Sequence, residues 1–158
     1  MANNKAFTAA ITGLLFAGMA GVAIAQTTEE VIAKRRATMT ASMRSNGTLN
    51  AALKAGNVTP EALELLKGEA GKVHAAFTQM ADPALWPKGS GLPEVASGTK
   101  AKAEIWTDSA GFKAALEASV AASAKLKAAA DAGDVEGMKA GVAGVQGACS
   151  SCHAKYRS

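Results

Sequence analysis

The chain has 158 residues, a formal net charge of +4, and only four Phe, two Trp and one Tyr. That length holds one domain, and with so few large rings a dense core needs close-packed Ala-rich helices or a cofactor that fills volume. The cations are scattered, Lys34-Arg35-Arg36 being the only cluster, which argues against a nucleic-acid partner, where a larger basic patch is the rule.

The N-terminal segment reads as a signal peptide. Lys5 gives a positive start, Ala6 to Ile24 is weakly apolar, and Ala23-Ile24-Ala25 supplies small residues for cleavage. An uncleaved anchor is the competing reading, since the segment approaches the ~20 residues that a bilayer takes. Thr8, Thr12 and several Ala and Gly make it a poor span, so cleavage after Ala25 is expected. That leaves a single domain, 26–158, in a periplasmic location with a formal charge of +3 once Lys5 is gone. No later run approaches spanning length.

Four helical stretches follow, and nothing alternates like a strand. The first is expected from Thr28 to Arg44, behind a capping box formed by Thr27 and Glu30. Ile32, Arg35, Met39 and Ser42/Met43 share one face, and Asn46-Gly47 marks the end. The second opens at Thr59-Pro60, a cap followed by proline in the first turn. Thr59, Leu63, Leu66, Ala70, Val73, Phe77 and Met80 then make a heptad seam, and Asp82-Pro83 stops it. Ala84 to Lys102 is irregular, and Trp86 argues that it is at least partly ordered.

After a short turn at Ala103–Trp106, the third helix is expected from Asp108 to Ala130. Phe112, Leu116, Ser119/Val120, Ser123 and Leu126 mark its inner face. Asp134 caps the fourth, where Val135, Met138, Val142, Val145, Cys149, Cys152 and Tyr156 alternate at spacings of three and four. Both cysteines thus lie on the core-facing seam. Glycines at 137, 141, 144 and 147 would let a backbone or a flat ligand approach. Four helices, short connections and one long crossover predict an all-α four-helix bundle, a fold that builds cofactor sites from inward-facing side chains.

Cys149-Ser150-Ser151-Cys152-His153 contains the only two cysteines. A disulfide here would close a tiny loop and stabilise little. A redox dithiol belongs at a helix start beside a sheet, and here the motif ends the last helix. Zinc wants four ligands, and His74, the only other histidine, lies one step off its seam. Covalent haem attachment fits better. Residues i and i+3 share a helix face, so two thiols can reach the two vinyl groups on one side of a porphyrin. His153 is turned about 100° from Cys152, which sets its imidazole over the metal instead of the ring edge.

The tail "GACSSCHAKYR" resembles the C-terminal haem motif of the class II c-type cytochromes, which comprise cytochrome c′ and low-spin relatives of the c-556 type. "VIAKRRATM", "LWPKGSG", "TKAKAEIW" and "DAGD" match further stretches of that family pattern, so the resemblance covers 26–158. It implies one haem c bound through Cys149 and Cys152, with His153 on iron. It also implies Arg35 beside a haem propionate, with Arg36 and Thr99 as further haem contacts. Arg157 fits the Arg that ends the motif. Met39 matches the residue facing iron opposite His153. As a sixth ligand it would make a low-spin carrier of single electrons, the reading preferred here. The alternative is a five-coordinate cytochrome c′ that binds NO or CO, with Met39 only crowding the site. A haem enzyme is disfavoured, because the first-helix face offers Met39 and no distal acid or base. The resemblance further implies redox partner proteins and homodimers packed through the first two helices.

Overall fold

The computed structural model describes residues 26–158, and the expected signal segment lies outside them. Five helices follow in order: α1 Thr28–Ala55, α2 Pro60–Met80, a single turn α3 Glu104–Thr107, α4 Ser109–Asp131 and α5 Val135–Tyr156. The four long ones form the expected bundle. Neighbours α1–α2, α2–α4 and α4–α5 pack closely, whereas α1 and α5 meet more sparsely.

The caps fall where the sequence places them. Thr27 Oγ1 accepts from Glu30 N (3.2 Å) while the Glu30 carboxylate accepts from Thr27 N (2.8 Å). Thr59, Asp108 and Asp134 each accept from a backbone N–H three residues on. Thr59 is exposed, so it serves the second helix as a cap and not as part of the seam.

The end of α1 differs from expectation. The helix runs through Asn46-Gly47 and stops at Gly56, whose φ of 76° suits glycine. The inner face continues through Ser42, Ser45, Leu49 and Leu53, all buried. A mid-helix glycine costs about 1 kcal/mol, and each buried Leu returns up to about 1.5–3 kcal/mol. Burial therefore overrides the local stop signal. The same register turns Met43 outward, 69% exposed, so Ser42 holds the inner position of that pair.

Two clusters make the core. Leu49, Leu53, Leu66, Val73, Leu126, Met138 and Val142 fill one end. Met80, Leu85, Ile105, Phe112, Leu116 and Tyr156 fill the other. Cys149 packs on the first cluster and Cys152 on the second.

The α5 glycines divide by position. A Cβ on Gly141 would stand 2.8 Å from Leu126 Cα, so this glycine sets the close approach of α5 to α4. Added carbons at Gly144 and Gly147 would meet nothing within 4 Å.

The irregular stretch is ordered by its own contacts. Asp82 caps a short 3-10 turn, Pro83–Leu85. The Trp86 indole donates to Met80 O (2.8 Å), and the Trp106 indole donates to Trp86 O (3.0 Å). Its far end is tied to α5: Lys102 N donates to Tyr156 O (3.0 Å), Ser158 N donates to Lys100 O (3.0 Å), and Ala101 bridges Arg157.

Candidate haem site

The last turns of α5 carry the motif. Cys149 and Cys152 are free thiols, each half-buried. Burial raises the pKa of both, and Cys149 raises that of Cys152 further. A reactive redox pair sits at a helix N-terminus, whereas these two cysteines lie in the last turns of α5. Burial lowers the pKa of His153, and the charge of Arg157 lowers it further. Its imidazole is thus kept neutral, the form that binds a metal. His74 is engaged elsewhere, its Nδ1 standing 3.1 Å from Ser123 Oγ on α4.

Arg35 stands on α1 at the same end of the bundle as Cys152. It is 5% exposed. Its guanidinium donates to Ser90 Oγ (3.1 Å) and Ser90 O (2.6 Å) and lies 4.7 Å over the Trp86 ring. Among the described residues no carboxylate forms an ion pair with it. Burial lowers its pKa, yet a guanidinium stays charged in a protein. A buried cation without an anion is costly unless something supplies the charge.

Met39 lies one turn beyond Arg35, half-buried, against the same apolar cluster as Cys152. The fold therefore brings Arg35, Met39 and Cys152 to one end of the bundle. Thr99 is half-buried in the crossover, where its hydroxyl accepts from Ala101 N (3.1 Å). Arg36 is exposed and lines a shallow groove along α1 with Ala33, Ala37, Thr40, Ala41 and Arg44.

This donor set fits a covalently held porphyrin. It offers two protonated thiols on one helix face, a neutral imidazole beside them, an unpaired buried cation for a propionate, and a sparse α1–α5 seam. Sequence reasoning did not single out Ser90, Trp86 as the bed of Arg35, or Asp108 as a partner of Tyr156. Ser90 carries no periodic signal, and its contact with Arg35 spans 55 positions.

An α-helical bundle with this motif closing its last helix has the architecture of a class II c-type cytochrome. The cytochrome c′ family profile matches residues 30–157, and the chain belongs to that family. Cytochrome c′ of Cereibacter sphaeroides is 34% identical over 147 residues, covering 90% of this chain and 93% of the relative. That of Rhodopseudomonas palustris is 34% identical, covering 95% and 94%. The matches to cytochrome c′ of Rubrivivax gelatinosus and Alcaligenes xylosoxydans span about half the length of those relatives. Among solved structures, cytochrome c′ from Rubrivivax gelatinosus superposes with a TM-score of 0.73 at 28% identity, over 84% of this chain and 98% of its own. A nitric oxide complex of a mutant cytochrome c prime from Alcaligenes xylosoxidans superposes at 0.70 and 27% identity, over 83% and 96%. The cofactor of this family is covalent haem c, and among the described residues no helix is long and apolar enough to cross a membrane.

Proposed function

We propose that this chain is an exported haem protein in which Cys149 and Cys152 form the thioether links and His153 binds iron. Arg35 neutralises a propionate through charge-assisted hydrogen bonds. The observation that carries this reading is the buried, unpaired Arg35 guanidinium at the same end of the bundle as Cys152 and Met39. When bound, haem would supply a one-electron iron couple and a metal able to take a small uncharged ligand.

In this reading each residue has a role. The Cys149 and Cys152 thiols would anchor the ring to α5, the neutral imidazole of His153 would hold the iron, and Met39 on α1 would crowd or ligate it. The apolar cluster that Met39 packs against, which includes Met80, Leu85 and Phe112, would favour small uncharged molecules there. We favour a five-coordinate iron that binds NO or CO, with Met39 crowding the position. Two things support it: the apolar packing of Met39, and the cytochrome c′ relatives, one of them in a nitric oxide complex. The second reading is a single-electron carrier with Met39 as sixth ligand. It is favoured by the thioether itself, because Met/His ligation raises the reduction potential.

Spectroscopy separates the two. A high-spin ferrous spectrum that shifts on adding CO is expected, with no sulfur-to-iron band at the red end of the oxidised spectrum. Met39→Ala should then leave the spin state unchanged and accelerate CO binding. A low-spin spectrum that Met39→Ala converts to high-spin would overturn the gas-binding reading and establish the carrier. Arg36 and Thr99 are the outer haem contacts in this proposal. Periplasmic export by residues 1–25, exchange with redox partner proteins, homodimerisation and the lack of an enzymatic role belong to it as well.

A further inference from the structure

The geometry points to Asp108 as the positioning residue that aims His153. This inference rests on the reading that His153 binds iron. A metal-bound histidine is normally oriented by a hydrogen bond from its other ring nitrogen to a carboxylate, carbonyl or water. Among the described residues no carboxylate or carbonyl of the protein accepts a hydrogen bond from the His153 ring, which is exposed. Its orientation is therefore inherited from the backbone of the last turn of α5. The last carbonyls of any helix lack intrahelical partners, and such turns fray.

That turn is clamped from outside. Asp108 Oδ2 accepts from Tyr156 OH at 2.7 Å and also from Lys155 Nζ. Asp108 Oδ1 meanwhile accepts from Gly111 N (3.2 Å), which ties the carboxylate to the start of α4. Tyr156 is 4% exposed, and its ring meets Phe112 edge-on at 5.1 Å. Its carbonyl accepts from Lys102 N (3.0 Å), and His153 O accepts from Arg157 N (3.1 Å). Gly111 leaves room for this contact, the closeness of its Cβ position to the Asp carboxylate being shared with Gly137 beside Asp134 and the approach of Tyr156 OH being particular to Gly111. A Cβ there would stand 2.3 Å from Asp108 Oδ2 and 2.7 Å from Tyr156 OH. The carboxylate and phenol fill the place that any other side chain would take.

The clamp also reaches the Arg35 side of the bundle. Phe112 meets Trp86 edge-on at 4.7 Å, and Trp86 carries the Arg35 guanidinium at 4.7 Å. Tyr156, Phe112, Trp86 and Arg35 thus form one packed line from the turn that holds His153 to the buried cation. Asp108 fixes one end of it.

The test uses holoprotein with ferrous iron, read by the iron–histidine stretching band in resonance Raman. Amide hydrogen exchange at residues 153–157 is measured on the same samples. Tyr156→Phe removes one oxygen and keeps the ring on Phe112; Asp108→Ala removes the acceptor; Asp108→Asn keeps the acceptor and drops the charge. Tyr156→Phe and Asp108→Ala should shift and broaden the band and speed exchange about tenfold. Asp108→Asn should restore most of both. An unchanged band in Tyr156→Phe would overturn the inference, even with faster exchange, since the clamp would then hold backbone without aiming the imidazole. If Asp108→Ala does not accumulate, Tyr156→Phe decides. A wild-type band that survives in His153→Ala would overturn the reading of His153 itself, and this inference with it.

Discussion

Arg35 is a buried cation with no carboxylate partner among the described residues. A surface Arg in the first helix would need no explanation, but this one is buried, stacked on Trp86 and bonded only to neutral oxygens of Ser90. Its partners are fixed by shape: a planar fork reaches the hydroxyl and the carbonyl together, which an ammonium cannot do in the same geometry. Replacing it should leave the Ser90 carbonyl without a partner, because Ser90 is fully buried. Arg35→Ala is expected to lower stability by about 1–3 kcal/mol, and Arg35→Lys to recover only part of it. Denaturant unfolding of the three proteins checks this. The presence of Arg35 was legible from its place in the first helix, one turn before Met39. Ser90 was not, because no local pattern links a crossover serine to a residue 55 positions away.

Asp108 makes a second prediction at this scale. Its hydrogen bonds to Lys155 and Tyr156 hold its carboxyl down at about 2, from an ordinary 3.8. The folded state therefore favours the ionised form. The stability it lends is complete above pH 3.8 and is lost as pH falls toward 2. Acid unfolding followed by circular dichroism should show this loss in the wild type, and Asp108→Asn should remove that part of the pH dependence.

Among the elements, the helices were legible wherever apolar periodicity and caps agree, as in α2, α4 and α5. The end of α1 was not. Asn46-Gly47 is a strong local signal, and it loses to Leu49 and Leu53, whose burial depends on helices that the local sequence does not specify. Glycines of the same appearance thus play opposite roles. Gly47 lies inside a helix with no atom within 4 Å of an added Cβ, so Gly47→Ala should stabilise by up to about 1 kcal/mol. Gly141 stands against the Leu126 backbone, and Gly141→Ala should instead destabilise by about 1–3 kcal/mol by pushing α5 off α4. Thermal melts of the two single variants give the signs directly. Two changes in the same direction would contradict this account of the α4–α5 contact.

In the whole molecule, the core is asymmetric. Three helix pairs are closed by interlocking side chains, and the fourth, α1 against α5, is sparse. The sparse seam is flanked by Met39 and Arg35 from one helix and by the cysteines from the other. This is where the composition matters. Of the five aromatic rings in the described residues, four (Trp86, Trp106, Phe112 and Tyr156) lie at one end, where Trp86, Phe112 and Tyr156 line up between α5 and Arg35. A cofactor held by Cys149 and Cys152 would link the two helices that otherwise touch least. The CxxCH spacing made the attachment legible, because it is a local property of one helix. The opposite side of the iron was not, since it depends on how α1 sits across the bundle.

The most direct test of the central claim is the intact mass of the protein after expression in a host that matures c-type cytochromes, under denaturing conditions that strip non-covalent ligands. The account predicts the mature chain plus one haem, with Cys149→Ser and Cys152→Ser each reducing the attachment to a single bond and their combination abolishing it. A chain of unmodified mass, with both thiols free to react with alkylating reagent, would contradict it.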